Sequence, residues 1–221
     1  MIELSTTPIV YIVDDDAPFV KALSRVLHVN GWSVETFNSA EAFMQVCDPN
    51  RLACLVLDVN LPGLDGMALQ RTLVEARQTM PIIFLTGCDD LPTCVEAVKS
   101  GASDFLTKPV TAETLLTAVS RAVERERTAR LLRNSEAQLG QRYGKLTARE
   151  RQVLEGIAAG RLNKQIAAEL GITEQTVKFH RARIMERMEA RSASELMRMA
   201  AKLAIGEQGG PTTGRPRPGG G

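Results

Sequence analysis

The sequence predicts an α/β domain with a doubly wound, five-stranded parallel sheet, followed by a smaller all-α domain of four helices. Three observations lead to this prediction. Short β-branched runs alternate with amphipathic stretches in the first half, and residues 146–205 contain no strand-like run. The charge also changes sign: residues 1–120 hold 7 Lys and Arg against 15 Asp and Glu, a net −8, whereas residues 121–205 have a net +8. With 221 residues and 44% apolar side chains, the chain is long enough to bury two cores.

Five short apolar runs predict the strands of the first domain: Ile9 to Val13, Ser33 to Phe37, Cys54 to Leu57, Ile82 to Leu85, and Asp104 to Leu106. Five amphipathic stretches between and after these runs predict its helices: Pro18 to Val29, Ala40 to Cys47, Gly66 to Arg77, Leu91 to Lys99, and Ala112 to Val123. Strand and helix alternate, so the strands are expected to be parallel and their crossovers right-handed. We place this domain at residues 1–122.

Residues 123–145 are charged and helix-forming, and they predict a solvated helical linker that continues the fifth helix. Leu132, Leu139 and Leu146 are seven residues apart, so a dimerising coiled coil remains an alternative. The segment 206–221 is rich in Gly and Pro and is expected to be a disordered tail.

Helix-start and helix-end signals predict four helices in residues 146–205. Thr147 and Glu150 form a capping box ahead of the first helix. The second helix is expected at Asn163 to Leu170, with Gly171 ending it in the left-handed conformation. Thr173 caps a third helix that runs through Met188, and Ser192 caps a fourth that runs through Leu203.

Several classes of protein are excluded or disfavoured by composition. No apolar run approaches the roughly 20 residues of a membrane span, and the N-terminus has no secretory signal, so a cytosolic protein without membrane association is expected. The 4 cysteines show no CxxC pair, which favours free buried thiols over a zinc or redox site.

Polar side chains follow the predicted strands at their carboxyl ends, where open α/β sheets place their chemistry. Asp14, Asp15 and Asp16 follow the first strand, and Asp58, Thr86 and Lys108 follow the third, fourth and fifth. Carboxylates that converge on one edge repel each other unless a cation neutralises them, and Mg²⁺ with oxygen ligands meets that need. A carboxylate, a metal, a lysine and a hydroxyl together suit phosphoryl transfer to Asp58. The acidic triplet alone could equally be a solvated turn or a helix cap.

Residues 8 to 122 resemble a CheY-like receiver domain of a two-component response regulator, a flavodoxin-like fold. The resemblance rests on four motifs that occur in the family's order: Val13-Asp14-Asp15, Asp58-x-x-x-Pro62-Gly63, Thr86-Gly87 and Lys108-Pro109. It implies that Asp58 is the phosphoacceptor and that Lys108 precedes a cis proline.

The same resemblance implies a ligand set and a switch. Asp15 and Asp58 would bind Mg²⁺ together with the main-chain carbonyl of Asn60, and Asp14 would act through water. Thr86 would bond the phosphoryl group, and Phe105 would move with it. Phe105 lacks the hydroxyl of a tyrosine at this position, and it could instead be an ordinary core residue.

The segment from Leu162 to His180 predicts a short helix, a glycine turn and a longer helix, which is the pattern of a helix-turn-helix. The second helix of such a unit enters the major groove of double-stranded DNA. Lys178, Arg181 and Arg183 of the second helix are expected to reach bases or phosphates, and Lys164, Thr173 and Thr176 are expected to contact phosphates. The alternative is a small helical protein-interaction domain whose basic residues are solvated.

Residues 146 to 204 also resemble the LuxR-type DNA-binding domain, through four motifs: Leu146-Thr147-x-Arg149-Glu150, Asn163-Lys164-x-Ile166-Ala167, Gly171-Ile172 and Thr176-Val177-Lys178-x-His180. The resemblance implies a base-reading position at Lys178 and a dimer contact at Leu196, Met199 and Ala200. The family varies where this chain has Phe179, Arg181 and Ala182, so Phe179 joins the candidate DNA contacts without indicating which sequence is read.

The order of the two modules is similar to that of the FixJ/NarL class of response regulators. The implied protein is a transcriptional regulator rather than an enzyme. A sensor histidine kinase would phosphorylate it, and it would then bind double-stranded DNA as a homodimer and work with RNA polymerase.

Two alternatives remain. One is a phosphatase of the haloacid-dehalogenase type, although Asn60 stands where those enzymes have an acid two residues after the nucleophile. The other is a regulator that does not depend on phosphate and keeps its first domain for dimer packing.

Overall fold

The computed structural model describes residues 7–87 and 103–208, and the chain divides into two compact units between Leu131 and Leu132. The first unit contains a five-stranded parallel sheet with the strand order β2-β1-β3-β4-β5. The strands are β1 (Ile9–Val13), β2 (Ser33–Phe37), β3 (Ala53–Asp58), β4 (Ile82–Thr86) and β5 (Asp104–Thr107). This architecture confirms the predicted fold class.

The three central strands β1, β3 and β4 are buried along their whole length, whereas the edge strands β2 and β5 are mostly half-buried. Strands of a parallel sheet are covered by helices on both faces, which explains why β1, β3 and β4 are almost continuously apolar. The strand order reverses between β1 and β3, so the carboxyl ends of these two strands flank the crevice where doubly wound sheets bind their ligands.

Three capped helices follow the first three strands: α1 (Ala17–Val29), α2 (Ala40–Val46) and α3 (Gly66–Glu75). Their N-caps are Asp16, Ser39 and Asp65, each of which accepts a hydrogen bond from a backbone amide of the first turn. The helix predicted over Leu91 to Lys99, together with Cys88 and Cys94, lies outside the described residues.

The structure moves several predicted boundaries by one or two residues. Asp58 and Thr86 are the last residues of β3 and β4 rather than the residues that follow them. The third helix ends at Glu75 instead of Arg77, because Arg77 has a left-handed backbone with φ of 54°.

The helix α4 (Ala112–Gly144) includes the predicted fifth helix and nearly all of the predicted linker. Its first turns pack an apolar face on the sheet, with Leu115, Val119 and Val123 in the core. Arg130 lies within the predicted linker, yet its guanidinium donates to the carbonyls of Asn50 and Arg51, both at 2.5 Å. The beginning of the linker is therefore part of the first unit and not simply a solvated helix.

The leucines spaced by seven residues have three different environments. Leu132 is exposed, Leu139 packs at the edge of the second core, and Leu146 is buried beyond the end of α4. A coiled-coil seam needs its leucines on one face of a single helix, so Leu146 does not continue such a seam.

The second unit contains four further helices: α5 (Ala148–Ala158), α6 (Asn163–Leu170), α7 (Glu174–Met188) and α8 (Ala193–Gln208). The capping box of Thr147 and Glu150 is present, and Gly171 ends α6 with φ of 64° as predicted. Val153, Ile184 and other apolar residues from all four helices form one core.

The start of the predicted tail needs correction. Ser192 caps the last helix through a hydrogen bond from the backbone amide of Glu195, but the helix continues to Gln208 instead of ending at Leu203. Residues 204–208 are mostly good helix formers, so a single Gly206 does not end the helix. The remainder of the tail lies outside the described residues.

Candidate functional site

Three carboxylates meet at the carboxyl ends of β1 and β3. These strands are paired with Val13 opposite Leu57, so Asp14 and Asp58 come out of the sheet side by side. Oxygens of Asp14, Asp15 and Asp58 lie within 4.8 Å of one another. Asp14 and Asp58 are 1% and 6% exposed, whereas Asp15 is exposed. The three consecutive aspartates have different roles. Asp16 caps α1, whereas Asp14 and Asp15 belong to this cluster.

Lys108 joins the cluster from the loop after β5. Its Nζ donates hydrogen bonds to Asp14 Oδ2 at 2.6 Å and to Asp58 Oδ2 at 2.9 Å. The peptide bond between Lys108 and Pro109 is cis, and the amide of Lys108 donates to the carbonyl of Thr86 at 2.7 Å. These contacts fix the lysine backbone beside the end of β4 and bring its ammonium between two buried carboxylates.

Burial and charge act against each other in this cluster. Burial raises the pKa of Asp14, and the hydrogen bonds from Lys108 and from the amide of Asp16 only partly offset that effect. Burial alone would lower the pKa of Lys108, but hydrogen bonds to Asp14 and Asp58, and the charges of both carboxylates, outweigh it and raise that pKa. Lys108 is therefore held as a cation at neutral pH.

The donor set fits a divalent cation with a preference for oxygen. One ammonium faces three carboxylates, so the cluster keeps an excess of negative charge. The grouped oxygens of Asp14, Asp15 and Asp58 are hard ligands of the kind that Mg²⁺ prefers. Asn60 lies at the same edge, and its main-chain N–H donates to Asp58 Oδ1 at 3.3 Å.

Thr86 and Phe105 come from the neighbouring strands. Thr86 is buried at the end of β4, where its Oγ1 donates to the carbonyl of Gly87 at 3.2 Å. Phe105 is half-buried against the core, and its ring centroid lies 5.5 Å from that of Phe84 on the paired strand. The contacts of Phe105 in this structure are those of a core residue.

Two further residues shape this site, and the sequence reading did not select either of them. The Lys108 ammonium lies 4.7 Å from the centroid of the Phe19 ring, a cation-π contact from the first turn of α1. A Cβ atom on Gly66 would lie 2.3 Å from the main-chain oxygen of Asp58, so α3 approaches the end of β3 more closely than any other residue type allows. In the sequence, only the position of Phe19 and Gly66 close to the aspartate motifs of this site pointed to them.

The second candidate site is the exposed side of α7. Lys178, Phe179 and Arg183 are exposed there, and Arg181 is half-buried. The opposite side of the helix places Val177 in the core. The structure therefore presents Lys178, Phe179 and Arg183 together.

The hydroxyl residues before and within α7 serve the helix start. Thr173 is its N-cap and accepts a hydrogen bond from the amide of Thr176 at 3.1 Å. The two threonine hydroxyls are 2.8 Å apart. Lys164, at the start of α6, is exposed.

The residues predicted for the dimer contact differ in their burial. Leu196 and Ala200 are 0% and 3% exposed, whereas Met199 is half-buried against the same core. Leu196 and Ala200 therefore pack within their own domain. Their apolar spacing on the last helix reflects its packing on α5.

Residues 10–120 match the family described as response regulator receiver domain, and residues 144–200 match the bacterial regulatory proteins of the luxR family. Nodulation protein W of Bradyrhizobium diazoefficiens is 43% identical over 92% of this chain and 89% of its own length. The transcriptional regulatory protein FixJ of Rhizobium meliloti is 40% identical over 89% of this chain and 97% of its own length.

The solved structure of the response regulator StyR is also similar. It superposes with a TM-score of 0.82 at 40% identity, covering 89% of this chain and 99% of StyR. Among the residues that the structure describes, no helix combines the length and apolar character needed to cross a membrane.

Proposed function

Because this chain belongs to the two-component response regulators that join a receiver domain to a LuxR-type DNA-binding domain, we propose that Asp58 is the residue through which it receives its signal. The chain is a transcriptional regulator, and its receiver domain implies a histidine kinase partner. The single observation that supports Asp58 is its carboxylate, which lies 2.9 Å from the Lys108 ammonium and within the carboxylate cluster.

The proposed reaction transfers a phosphoryl group from a phosphohistidine of the sensor kinase. A carboxylate oxygen of Asp58 attacks phosphorus in line, the new P–O bond forms, and the P–N bond to the kinase histidine breaks. The nitrogen of that histidine leaves with the electron pair. Lys108 is placed to offset negative charge on the transferred group because its ammonium already faces Asp58.

A magnesium ion suits the same cluster. Asp14, Asp15 and Asp58, with the main-chain carbonyl of Asn60, are the groups that would hold it. When bound, Mg²⁺ supplies positive charge beside the transferring oxygens. The ammonium of Lys108 offsets only part of the negative charge of the three carboxylates, so a bound cation would still be favoured.

The proposed switch follows from the contacts that a phosphoryl group would change. On phosphorylation, Lys108 would exchange its hydrogen bond to Asp58 for one to the phosphoryl oxygens, and Thr86 would turn its hydroxyl toward them. Such contacts shift the population of an active conformation only by the difference in their strength between the two states. Phe105 next to Phe84 is the candidate for a side chain that moves with Thr86.

The proposed output is DNA binding by the helix-turn-helix. The exposed side of α7 would enter the major groove with Lys178, Phe179 and Arg183. Phosphates or bases would be contacted by Lys164, Thr173, Thr176 and Arg181. We propose that phosphorylation leads to a homodimer, so that two domains occupy two related half-sites. RNA polymerase is the expected partner at the promoter, and the cytoplasm is the expected compartment.

A phosphatase with multiple turnovers is disfavoured by the residue two positions after Asp58. That residue is Asn60, which is exposed and cannot act as a general acid. Rapid turnover of a phosphate ester by the full chain would support the phosphatase instead.

The test is Asp58→Asn, with Asp48→Asn as a control at an exposed aspartate outside the cluster. The Asp58 variant should not be labelled by acetyl phosphate and should lose phosphate-dependent promoter binding, while the Asp48 variant should behave like the wild type. Unchanged labelling of the Asp58 variant would refute the site. A titration with beryllofluoride that leaves oligomeric state and DNA affinity unaltered would support the phosphate-independent regulator.

A further inference from the structure

The exposed side of α7 carries a large apolar side chain among cations. Phe179 is 55% exposed, although Val177, Ile184 and Met188 of the same helix are completely buried. The residues on the exposed side are spaced by three and four positions, as one helical face requires. They are Gln175, Lys178, Phe179, Ala182 and Arg183.

Phe179 is held in place by its neighbours on the helix. The guanidinium carbon of Arg183 lies 5.1 Å from the centroid of the Phe179 ring, and the ring of His180 stands edge-on to it at 5.9 Å. Stacking of this kind orders both the ring and the guanidinium, because Arg183 lies one turn further along the helix. The N–H donors at the edge of the guanidinium remain available to an acceptor.

The chemistry of the DNA surface limits what a phenyl ring can meet. Phosphate oxygens and base-edge acceptors attract Lys178 and Arg183, which are hydrogen-bond donors, but polar groups of this kind do not favour burial of an aromatic ring. The apolar group that the major groove offers is the 5-methyl group of thymine. The phenyl ring of Phe179, held on the exposed side of α7, is apolar like that methyl group.

We propose that Phe179 recognises the 5-methyl group of a thymine in the major groove, so that each half-site contains a thymine read by apolar contact. This inference rests on the proposed DNA-binding function, which it makes more specific. Arg183 is a positioning residue here, because its stacked guanidinium keeps the Phe179 ring in the orientation that meets the base.

The experiment uses the full-length protein treated with beryllofluoride. A random duplex library is first selected for binding, and each thymine of the recovered duplex is then replaced singly by deoxyuridine, which removes only the methyl group. Loss of one methyl contact should weaken wild-type binding about fourfold at the position that Phe179 reads. The same replacement should leave the affinity of Phe179→Ala unchanged.

Val29→Ala provides the matched control, because Val29 is an apolar residue of the first unit that is 79% exposed. It should keep the full discrimination between thymine and deoxyuridine. The Phe179 ring makes no contribution to the buried core, so Phe179→Ala should melt at the wild-type temperature. A duplex with 5-methylcytosine at the same position would show whether the methyl group alone restores part of the affinity.

The outcomes separate this inference from the function on which it rests. If every deoxyuridine replacement weakens DNA binding equally in the wild type and in Phe179→Ala, the proposed thymine contact is wrong, although the protein still binds DNA. A wild-type protein that selects no duplex would refute the proposed function as well. If Phe179→Ala changes the oligomeric state but not the discrimination, Phe179 is a protein contact and the inference is wrong.

Discussion

Lys108 and Asp14 are separated by 94 positions in the chain, and yet the lysine Nζ lies 2.6 Å from Asp14 Oδ2. The same ammonium reaches Asp58, so one cation serves two buried carboxylates. This arrangement couples the stability of the receiver domain to the group that we propose as the phosphoacceptor.

Lys108→Ala should therefore destabilise the receiver domain as well as impair phosphorylation. Removing one partner of a fully buried pair costs about 3–5 kcal/mol, and we expect about 1–3 kcal/mol because the lysine side chain is 25% exposed. Urea unfolding followed by the fluorescence of Trp32, the single tryptophan, reports on this domain. Lys21→Ala, at an exposed lysine, is the control, and equal losses in both variants would contradict the prediction.

Arg130→Ala should show that the first part of the linker stabilises the receiver domain. Its guanidinium contacts the carbonyls of Pro49, Asn50 and Arg51 and the buried carboxylate of Glu126. We expect the free energy of unfolding to fall by about 1.5–3 kcal/mol, the range for hydrogen bonds that involve a charged group.

Two further variants serve as comparisons for Arg130→Ala. Arg127→Ala removes an exposed arginine whose pair with Glu124 has a separation of 4.0 Å, and it should change stability by less than about 0.5 kcal/mol. Arg130→Lys should recover little, because a compact ammonium lacks the planar fork with which the guanidinium reaches Glu126 and three main-chain carbonyls at once. Full recovery by lysine in the Trp32 unfolding measurement would argue against the prediction.

Glu150 should make the DNA-binding domain sensitive to acid. Burial alone would raise its pKa, but hydrogen bonds from the amide and hydroxyl of Thr147 and the charge of Arg187 lower it below the ordinary 4.5. A lowered pKa stabilises the fold above that ordinary value, and the contribution is lost as the pH falls through the folded-state pKa. The wild type should lose stability more steeply than Glu150→Gln between about pH 5 and pH 3.

Hydrogen exchange of amides in α5 measures this effect within the second unit. At neutral pH we expect Glu150→Gln to lower the opening free energy by about 1–3 kcal/mol, because Arg187 Nη1 donates to Glu150 Oε2 at 2.6 Å. Glu155→Gln, on the exposed side of the same helix, should change neither the stability nor its pH dependence. Parallel pH profiles for all three proteins would be the contrary result.

Gly66→Ala should displace the end of β3. The added Cβ would meet the main-chain oxygen of Asp58 at 2.3 Å and the Cα of Val59 at 3.1 Å, and neither atom belongs to a flexible side chain. We expect a loss of about 1–3 kcal/mol and slower labelling by acetyl phosphate. Gly140→Ala, on an open helical position, should instead stabilise α4 by about 0.5–1 kcal/mol. Wild-type labelling and stability in the Gly66 variant would contradict this prediction.

Much of the fold was predictable because its signals are local. Strand runs such as Ile9–Val13, and caps such as Thr147 and Thr173, depend on residues within one or two turns of each other. The helix ends were less predictable. The left-handed conformation of Arg77 has no clear local signal, and the glycine at 206 suggests a helix end that the helix formers around it override.

The candidate site was predictable in its members but not in its contacts. Parallel strands place their carboxyl ends at one edge, which is why Asp14, Asp58 and Lys108 could be grouped in advance. The contact of Phe19 with Lys108 and the close approach of Gly66 to Asp58 depend on how α1 and α3 pack on the sheet. The spacing of these residues in the sequence does not predict those distances.

The sequence by itself determined the order of strands and helices, the two domains' fold classes and the residues at the sheet edge, because periodicity, caps and motifs are properties of neighbouring residues. Only the tertiary structure decided that Lys108 bridges two carboxylates, that Arg130 binds the loop before β3, and that Leu196 and Ala200 are core residues. Each of these contacts joins residues that are distant in the chain. Several side chains have the chemistry to make such contacts, and packing alone determines which of them do.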